Sequence, residues 1–189
     1  MEGTSPPPAQ ATGDAPGAPP KLRARHVALA MGVGAIAGAF AMLGETGYIV
    51  PSFALALIDP LFFSLLTVTI VAPLVEEAVK PIGLMVVWHE ERPDFSLVQW
   101  AVLGFVAGLG FALMEDALYM WSISSWGWGT MLMLLGTRLL FPVHMLCTTL
   151  TGVGYGLWTK SKDPWHFIFF IAVAMCIHGF FNFAVSVVG

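Results

Sequence analysis

Hydrophobic residues dominate the chain from residue 27 onward and form runs that are long enough to cross a bilayer. A helical span needs about 20 predominantly apolar residues. Five stretches meet this requirement: residues 27–43, 60–89, 97–121, 130–158 and 165–188. The stretch 48–58 is too short to cross and ends at Asp59 and Pro60, so it predicts a surface-lying or re-entrant helix. The pattern predicts an all-α, polytopic membrane helical bundle with about five transmembrane helices and one short re-entrant or interfacial helix.

The composition agrees with this pattern. Hydrophobic residues make up 57% of the chain and charged residues 11%, and the mean hydropathy is +0.80. These values exclude a water-soluble globular protein. The few basic residues form no cluster suited to nucleic acid, so the expected surroundings are a lipid bilayer and no nucleic acid.

The N-terminal region has a different composition from the rest. The first 20 residues are rich in Pro, Gly, Ala, Ser and Thr and contain almost no bulky apolar side chain, a composition that cannot offset the entropy lost on ordering. We therefore predict a disordered cytoplasmic tail over residues 1–25 and a single membrane domain over residues 26–189.

Basic residues are distributed unequally between the two sides of the predicted bundle. With five spans, all six Lys and Arg residues in the loops fall on one side: Lys21, Arg23, Arg25, Arg92, Lys160 and Lys162. Such an excess is typical of the cytoplasmic side. The sequence therefore predicts a multi-pass protein of the cell membrane with a cytoplasmic N-terminus and an external C-terminus.

Three ionisable residues lie inside the second apolar stretch, namely Glu76, Glu77 and Lys80. An ionisable side chain near the bilayer centre costs at least about 2.5 kcal/mol, so such residues usually mark a functional site. Glu76 and Lys80 have the favoured acid-first spacing of four residues and are expected to pair. Glu77 points about 100° away around the helix, and it is the carboxylate we expect to be freer to act as a general base.

Polar residues on other spans are predicted at a similar depth. Counting about 1.5 Å per residue from the cytoplasmic ends places four of them about 18–25 Å into the membrane: Glu77, His144, His178 and Asn182. Glu115 and Arg138 come out slightly deeper, at about 27–31 Å, and are expected to pair. A carboxylate, two imidazoles and an amide in one layer can activate water, move a proton and hold an oxyanion, as peptide hydrolysis requires.

Four segments also resemble the PrsW family of intramembrane proteases, which is related to the CAAX-processing membrane endopeptidases and to the scaffold subunit of gamma-secretase. The segments are APLVEEAVKPIGL at 72–84, GLGFALMEDALYM at 108–120, Arg138 followed by His144, and HGFFNF at 178–183. They cover four of the five predicted spans in the family's order.

The resemblance implies an endopeptidase and a set of site residues. The catalytic residues would be Glu76, Glu77, Glu115, His144, His178 and Asn182, with Lys80, Arg138 and Asp116 in support. One glutamate and one histidine would activate water, and the second histidine with Asn182 would stabilise the oxyanion. Asp116 stands where the family commonly has Asn. The implied substrates are membrane-tethered proteins such as anti-sigma factors.

The cofactor stays open at this stage. The family is described both as metalloproteases and as glutamic proteases, and a glutamic mechanism needs no cofactor. Zinc is possible, with Glu115, His144 and His178 as candidate ligands on three separate helices. The sequence has no local HExxH pair of zinc ligands.

Two other classes of function use the same residue types. In a non-catalytic membrane scaffold or chaperone subunit, the polar residues would stabilise helix packing. In a proton or ion carrier, intramembrane Glu, His and Lys would form a relay. Five spans with no inverted repeat argue against a carrier.

Overall fold

Each predicted span is helical in the computed structural model, which describes residues 20–91 and 93–188. The described residues contain no strand, which confirms the all-α prediction. The α-helices are α1 (Ala24–Ile58), α2 (Pro60–Leu66), α3 (Ala72–Val79), α4 (Ile82–Glu91), α5 (Leu97–Ser122), α6 (Trp128–Leu140), α7 (Val143–Ser161) and α8 (Pro164–Val188). A π-helical segment, Thr67–Val71, joins α2 to α3, and one 3₁₀ turn, Ser124–Trp126, lies between α5 and α6.

Five segments are long and apolar enough to cross a membrane, as the hydropathy pattern predicts. They are Ala24–Glu45, Pro60–Glu90, Leu97–Ser122, Trp128–Ser161 and Pro164–Val187. The chain is therefore a multi-pass membrane protein.

The region before the second span differs in detail from the prediction. Residues 48–58 do not form a helix of their own, because they continue α1 without a break. A helix of 35 residues is about 52 Å long, well beyond the bilayer's hydrocarbon thickness of about 30 Å. The tail predicted for residues 1–25 lies outside the described residues as far as residue 19, and α1 already begins at Ala24.

Prolines interrupt two of the spans. Pro81 has no backbone N–H to continue the helical ladder, and α3 gives way to α4 at Lys80 and Pro81. Pro142 separates α6 from α7, and Phe141 before it has the non-helical angles φ −123° and ψ 79°. The stretch predicted as one helix over residues 130–158 is thus two helices. Both breaks lie beside polar residues of the predicted site.

Glycines allow the backbones of α5 and α7 to touch. A Cβ at Gly104 would collide with the carbonyl of Thr148, and a Cβ at Gly152 would collide with the carbonyl of Trp100. This agrees with the role of small residues at helix interfaces in membranes. The close contact brings Glu115 of α5 next to His144 of α7.

Candidate active site

The amine of Lys80 lies at the centre of the polar cluster. The side chain is fully buried, and Nζ is 3.1 Å from Oε2 of Glu76, 2.5 Å from Oε1 of Glu77 and 2.9 Å from Nδ1 of His144. An ammonium has three N–H donors, and these three acceptors use all of them. The ring of Phe111 lies 4.4 Å from the same nitrogen. The Glu76–Lys80 pair expected from the spacing is present, and Lys80 binds Glu77 as well.

His144 has a defined tautomer because of its two partners. Its Nε2 is 2.7 Å from Oε2 of Glu115, and that carboxylate also accepts hydrogen bonds from Arg138 at 2.9 and 3.3 Å. A carboxylate only accepts, so Nε2 carries the hydrogen and Nδ1 accepts from Lys80. Arg138 also donates to Asp116 at 2.8 Å. The expected Glu115–Arg138 pair therefore extends into a continuous network that links α6, α5, α7 and the α3–α4 junction.

His178 of α8 binds the other side of the glutamate pair. Its Nδ1 is 2.9 Å from Oε1 of Glu77, the oxygen that also accepts from Lys80. Nδ1 is therefore the donor, and Nε2 is left for other partners. Oε2 of Glu77 is buried and has no hydrogen-bond partner among the described residues. The rings of His144 and His178 meet edge to face with their centroids 4.9 Å apart.

Asn182 lies one turn beyond His178 and contacts the π-helical segment. Its Nδ2 donates to the carbonyl of Val68 at 2.8 Å. In this segment the N–H of Ala72 bonds to the carbonyl of Thr67, five residues back, so the normal ladder is shifted. A Cβ at Gly179 would collide with the carbonyl of Thr69, which shows how closely α8 approaches the segment. The π-helical segment thus fixes the position of Asn182.

Most of these side chains line a cavity of about 330 Å³. Its polar lining consists of Glu45, Glu76, Glu115, Asp116, Tyr119, Arg138, His144, His178 and Asn182, with Thr67, Thr137 and Ser186. The remaining lining is mostly apolar and includes Val68, Leu134, Leu139 and Phe181. The structure brings together the predicted site residues of four spans, and all but Glu77 and Lys80 line the cavity.

The two adjacent glutamates occupy different positions from those we expected. Glu77 is fully buried behind Lys80 and His178 and is not part of the cavity lining. Glu76 lines the cavity although it also contacts Lys80. The spacing of four residues predicts a Lys80–Glu76 pair alone, whereas the long lysine side chain reaches both carboxylates.

Glu45 is a cavity residue that the sequence analysis missed. It lies at the end of the first span and lines the same cavity. In the sequence it follows the apolar run 27–43, so it has the position of an ordinary interfacial carboxylate. One indication of its role is present in the sequence: the first span ends on the side of the membrane toward which Glu115 and Arg138 are predicted to lie.

Four donor atoms of the cluster lie close enough together to share a metal ion. Among the described residues, Glu76, Glu77, His144 and His178 can each offer a ligand atom, all within 4.8 Å of one another. Glu115, a candidate from the sequence, is not in this group because it binds the far nitrogen of His144. These donor types suit zinc. The space between the donors does not suit zinc, because the Lys80 ammonium already contacts three of the four donors.

Comparisons with known proteins give one match. A search of curated proteins and a search of solved structures each returned no match. The family model described as PrsW family intramembrane metalloprotease matches residues 23–189. That range contains all five spans and every residue of the cluster described above. The chain therefore belongs to the PrsW family of intramembrane proteases.

Proposed function

We propose that this protein is an intramembrane endopeptidase that hydrolyses peptide bonds of membrane-tethered proteins with a glutamate-activated water. The observation that carries the proposal is the cavity, whose lining includes Glu76, His178 and Asn182 together with apolar side chains. A site of this kind can hold an apolar peptide segment and provide a base and oxyanion donors next to it.

Glu76 is the general base in this proposal. Its Oε2 is held by Lys80 at 3.1 Å and lies 3.4 Å from Nδ1 of His144, and the residue lines the cavity where water can enter. Glu76 takes a proton from water as the water oxygen forms a bond to the scissile carbonyl carbon. The same proton then passes to the amide nitrogen as the carbon–nitrogen bond breaks, which leaves a carboxylic acid and an amine.

His178 and Asn182 stabilise the oxyanion. Asn182 gives one N–H to Val68 and lines the cavity, and its amide group has a second N–H that can donate to the oxyanion. The Nε2 of His178 is left for the same task when the ring is protonated, because Glu77 holds Nδ1 and balances the charge. Both nitrogens of His144 are already engaged, so His144 and Glu115 take no part in holding the oxyanion.

The substrate class follows from the lining of the cavity. Apolar side chains of α6, α8 and the π-helical segment suit a peptide segment that is embedded in the membrane or leaves it nearby. We propose membrane-tethered proteins as substrates, with anti-sigma factors as the specific class that the family resemblance implies.

Cleavage of single-span reporter proteins by the purified protein in lipid discs tests the function. We expect two fragments, and in heavy-oxygen water the new carboxyl group should carry one heavy oxygen, as hydrolysis requires. If the wild-type protein cuts no reporter across a broad set of single-span sequences, the scaffold interpretation would replace the proposed one.

The oxyanion assignment is tested in the same assay with Asn182→Ala. We expect kcat to fall by about 10²-fold, the effect of removing one oxyanion donor. Ser186→Ala is the matched control, because Ser186 lies one turn further along α8 and also lines the cavity. Equal rates for the two variants would remove Asn182 from the mechanism.

We also propose that the N-terminus is cytoplasmic and the C-terminus external. Lys160 pairs with Asp94 at 2.9 Å, so two of the basic loops meet on one side of the bundle. Cysteines introduced at Asp94 and at Ser125, in a variant without Cys147 and Cys176, should be labelled from opposite sides. An impermeant reagent added to whole cells should label position 125 alone, and labelling of position 94 alone would invert the orientation.

A further inference from the structure

The donors of the buried cluster surround a lysine amine where a metalloprotease would hold its ion. We propose that Lys80 is the resident cation of this site, and that the four donors bind a divalent metal only when both the charge and the bulk of Lys80 are removed. This inference concerns the same site as the proposed function and rests on it for its catalytic meaning.

Lys80 occupies the space among the donors that a metal ion would need. Nζ of Lys80 lies 2.5–3.1 Å from Glu77, Glu76 and His144, and His178 is linked to the same oxygen of Glu77 at 2.9 Å. An ion that contacted these donors at about 2.0–2.2 Å would have to lie among them and would overlap the amine. Lys80 and a metal are therefore alternatives at one position.

The hydrogen bonds around Lys80 also match an ammonium group. Nδ1 of His144 accepts from Lys80, so the ammonium already satisfies the atom that a metal would use. All three donors of the ammonium have acceptors, and the Phe111 ring lies over it at 4.4 Å. The amine is thus held by four contacts in a fully buried place.

Lys80 also supplies the positive charge that the site needs. Glu76 and Glu77 are buried together, and one ammonium lies between them. Removal of that ammonium leaves two buried carboxylates without their shared counter-charge, which is strongly unfavourable. A divalent cation would restore the balance. The lysine therefore does two things: it fills the position, and it supplies the charge that makes a metal unnecessary.

Two substitutions separate charge from space. Lys80→Ala removes the charge and leaves room for an ion among the four donors, whereas Lys80→Met removes the charge but keeps most of the volume. After incubation with Zn²⁺ and desalting, elemental analysis should find about one zinc per chain in Lys80→Ala. The wild type and Lys80→Met should retain only the background of a buffer blank. Adding His144→Ala and His178→Ala to Lys80→Ala should abolish the retained zinc.

The wild-type protein gives a second, independent measurement. Its thermal unfolding temperature should not rise with Zn²⁺, and its reporter cleavage should survive a chelator; both measurements test whether Lys80 is the resident cation, even if Lys80→Ala does not fold. The inference is overturned if the wild type purifies with one zinc that is lost in His178→Ala. It is equally overturned if folded Lys80→Ala retains no more zinc than Lys80→Met. Metal content is measured without any substrate, so a wild type that cleaves nothing would contradict the proposed function alone.

Discussion

Glu76→Gln is expected to reduce cleavage of a single-span reporter by about 10²–10⁴-fold, the contribution of a positioned general base. The change keeps the size of the side chain and its contact with Lys80 but removes the ability to take a proton. Binding of the reporter should change little, because the apolar side chains that line the cavity stay the same. Single-turnover rates with protein in lipid discs measure the chemical step directly.

Two further variants make this result specific. Glu90→Gln changes an exposed carboxylate on the same span and should cleave at the wild-type rate. Glu77→Gln alters a fully buried residue bound to Lys80 and His178, so we expect a lower unfolding temperature as well as lower activity. Full activity in Glu76→Gln together with inactive but stably folded Glu77→Gln would transfer the role of base to Glu77.

Gly104→Leu is expected to destabilise the protein by at least about 1–3 kcal/mol, the usual cost of overpacking. Any Cβ at this position collides with the carbonyl of Thr148, which is a backbone atom that cannot rotate away. The helices α5 and α7 would have to separate, and with them Glu115 and His144, which lie 2.7 Å apart. Activity should therefore fall along with the unfolding temperature measured in detergent.

Gly32→Leu is the matched control for this change. Gly32 lies in α1, and in the part of the chain that the structure describes no atom lies within 4 Å of the position that a Cβ would take there, so the larger residue does not collide with a neighbouring helix. We expect an unfolding temperature close to that of the wild type. A similar fall in unfolding temperature in both variants would show that the added apolar bulk destabilises the protein, and not the disturbed contact between α5 and α7.

Most of the fold could be predicted because hydropathy reports directly on membrane spans. Each span is an apolar run with polar or proline-containing boundaries, and no long-range information is needed to find it. The predicted helix boundaries are wrong where the local sequence is compatible with both a continuous and a broken helix. Residues 48–58 are apolar enough to continue α1, so the sequence does not show that they belong to the same helix. Pro142 follows the end of α6. A proline can also lie inside a helix and only kink it, so the presence of Pro142 does not by itself predict two helices.

The site could be predicted as a set of residues but not as a set of contacts. Ionisable residues are costly in lipid, so Glu76, Lys80 and His178 stand out in the sequence. Which atoms meet depends on the rotation of each helix about its axis, and a helix rotates by about 100° per residue. The spacing therefore predicts Glu77 as the accessible carboxylate, whereas Glu76 is the one that lines the cavity. Glu45 does not stand out in the sequence, because a carboxylate at the end of a span can lie at the membrane surface at little cost.

The π-helical segment sets the angular relation between the two halves of the second span. A π-helical turn contains one residue more than the α-helical ladder requires, and one residue corresponds to about 100° of rotation. The side of α2 that meets its neighbours and the side of α3 that carries Glu76 and Glu77 are therefore offset from each other. Loss of a single residue between Thr67 and Val71 would remove this offset and rotate α2 relative to the carboxylates, while the composition and hydropathy of the span would stay almost the same.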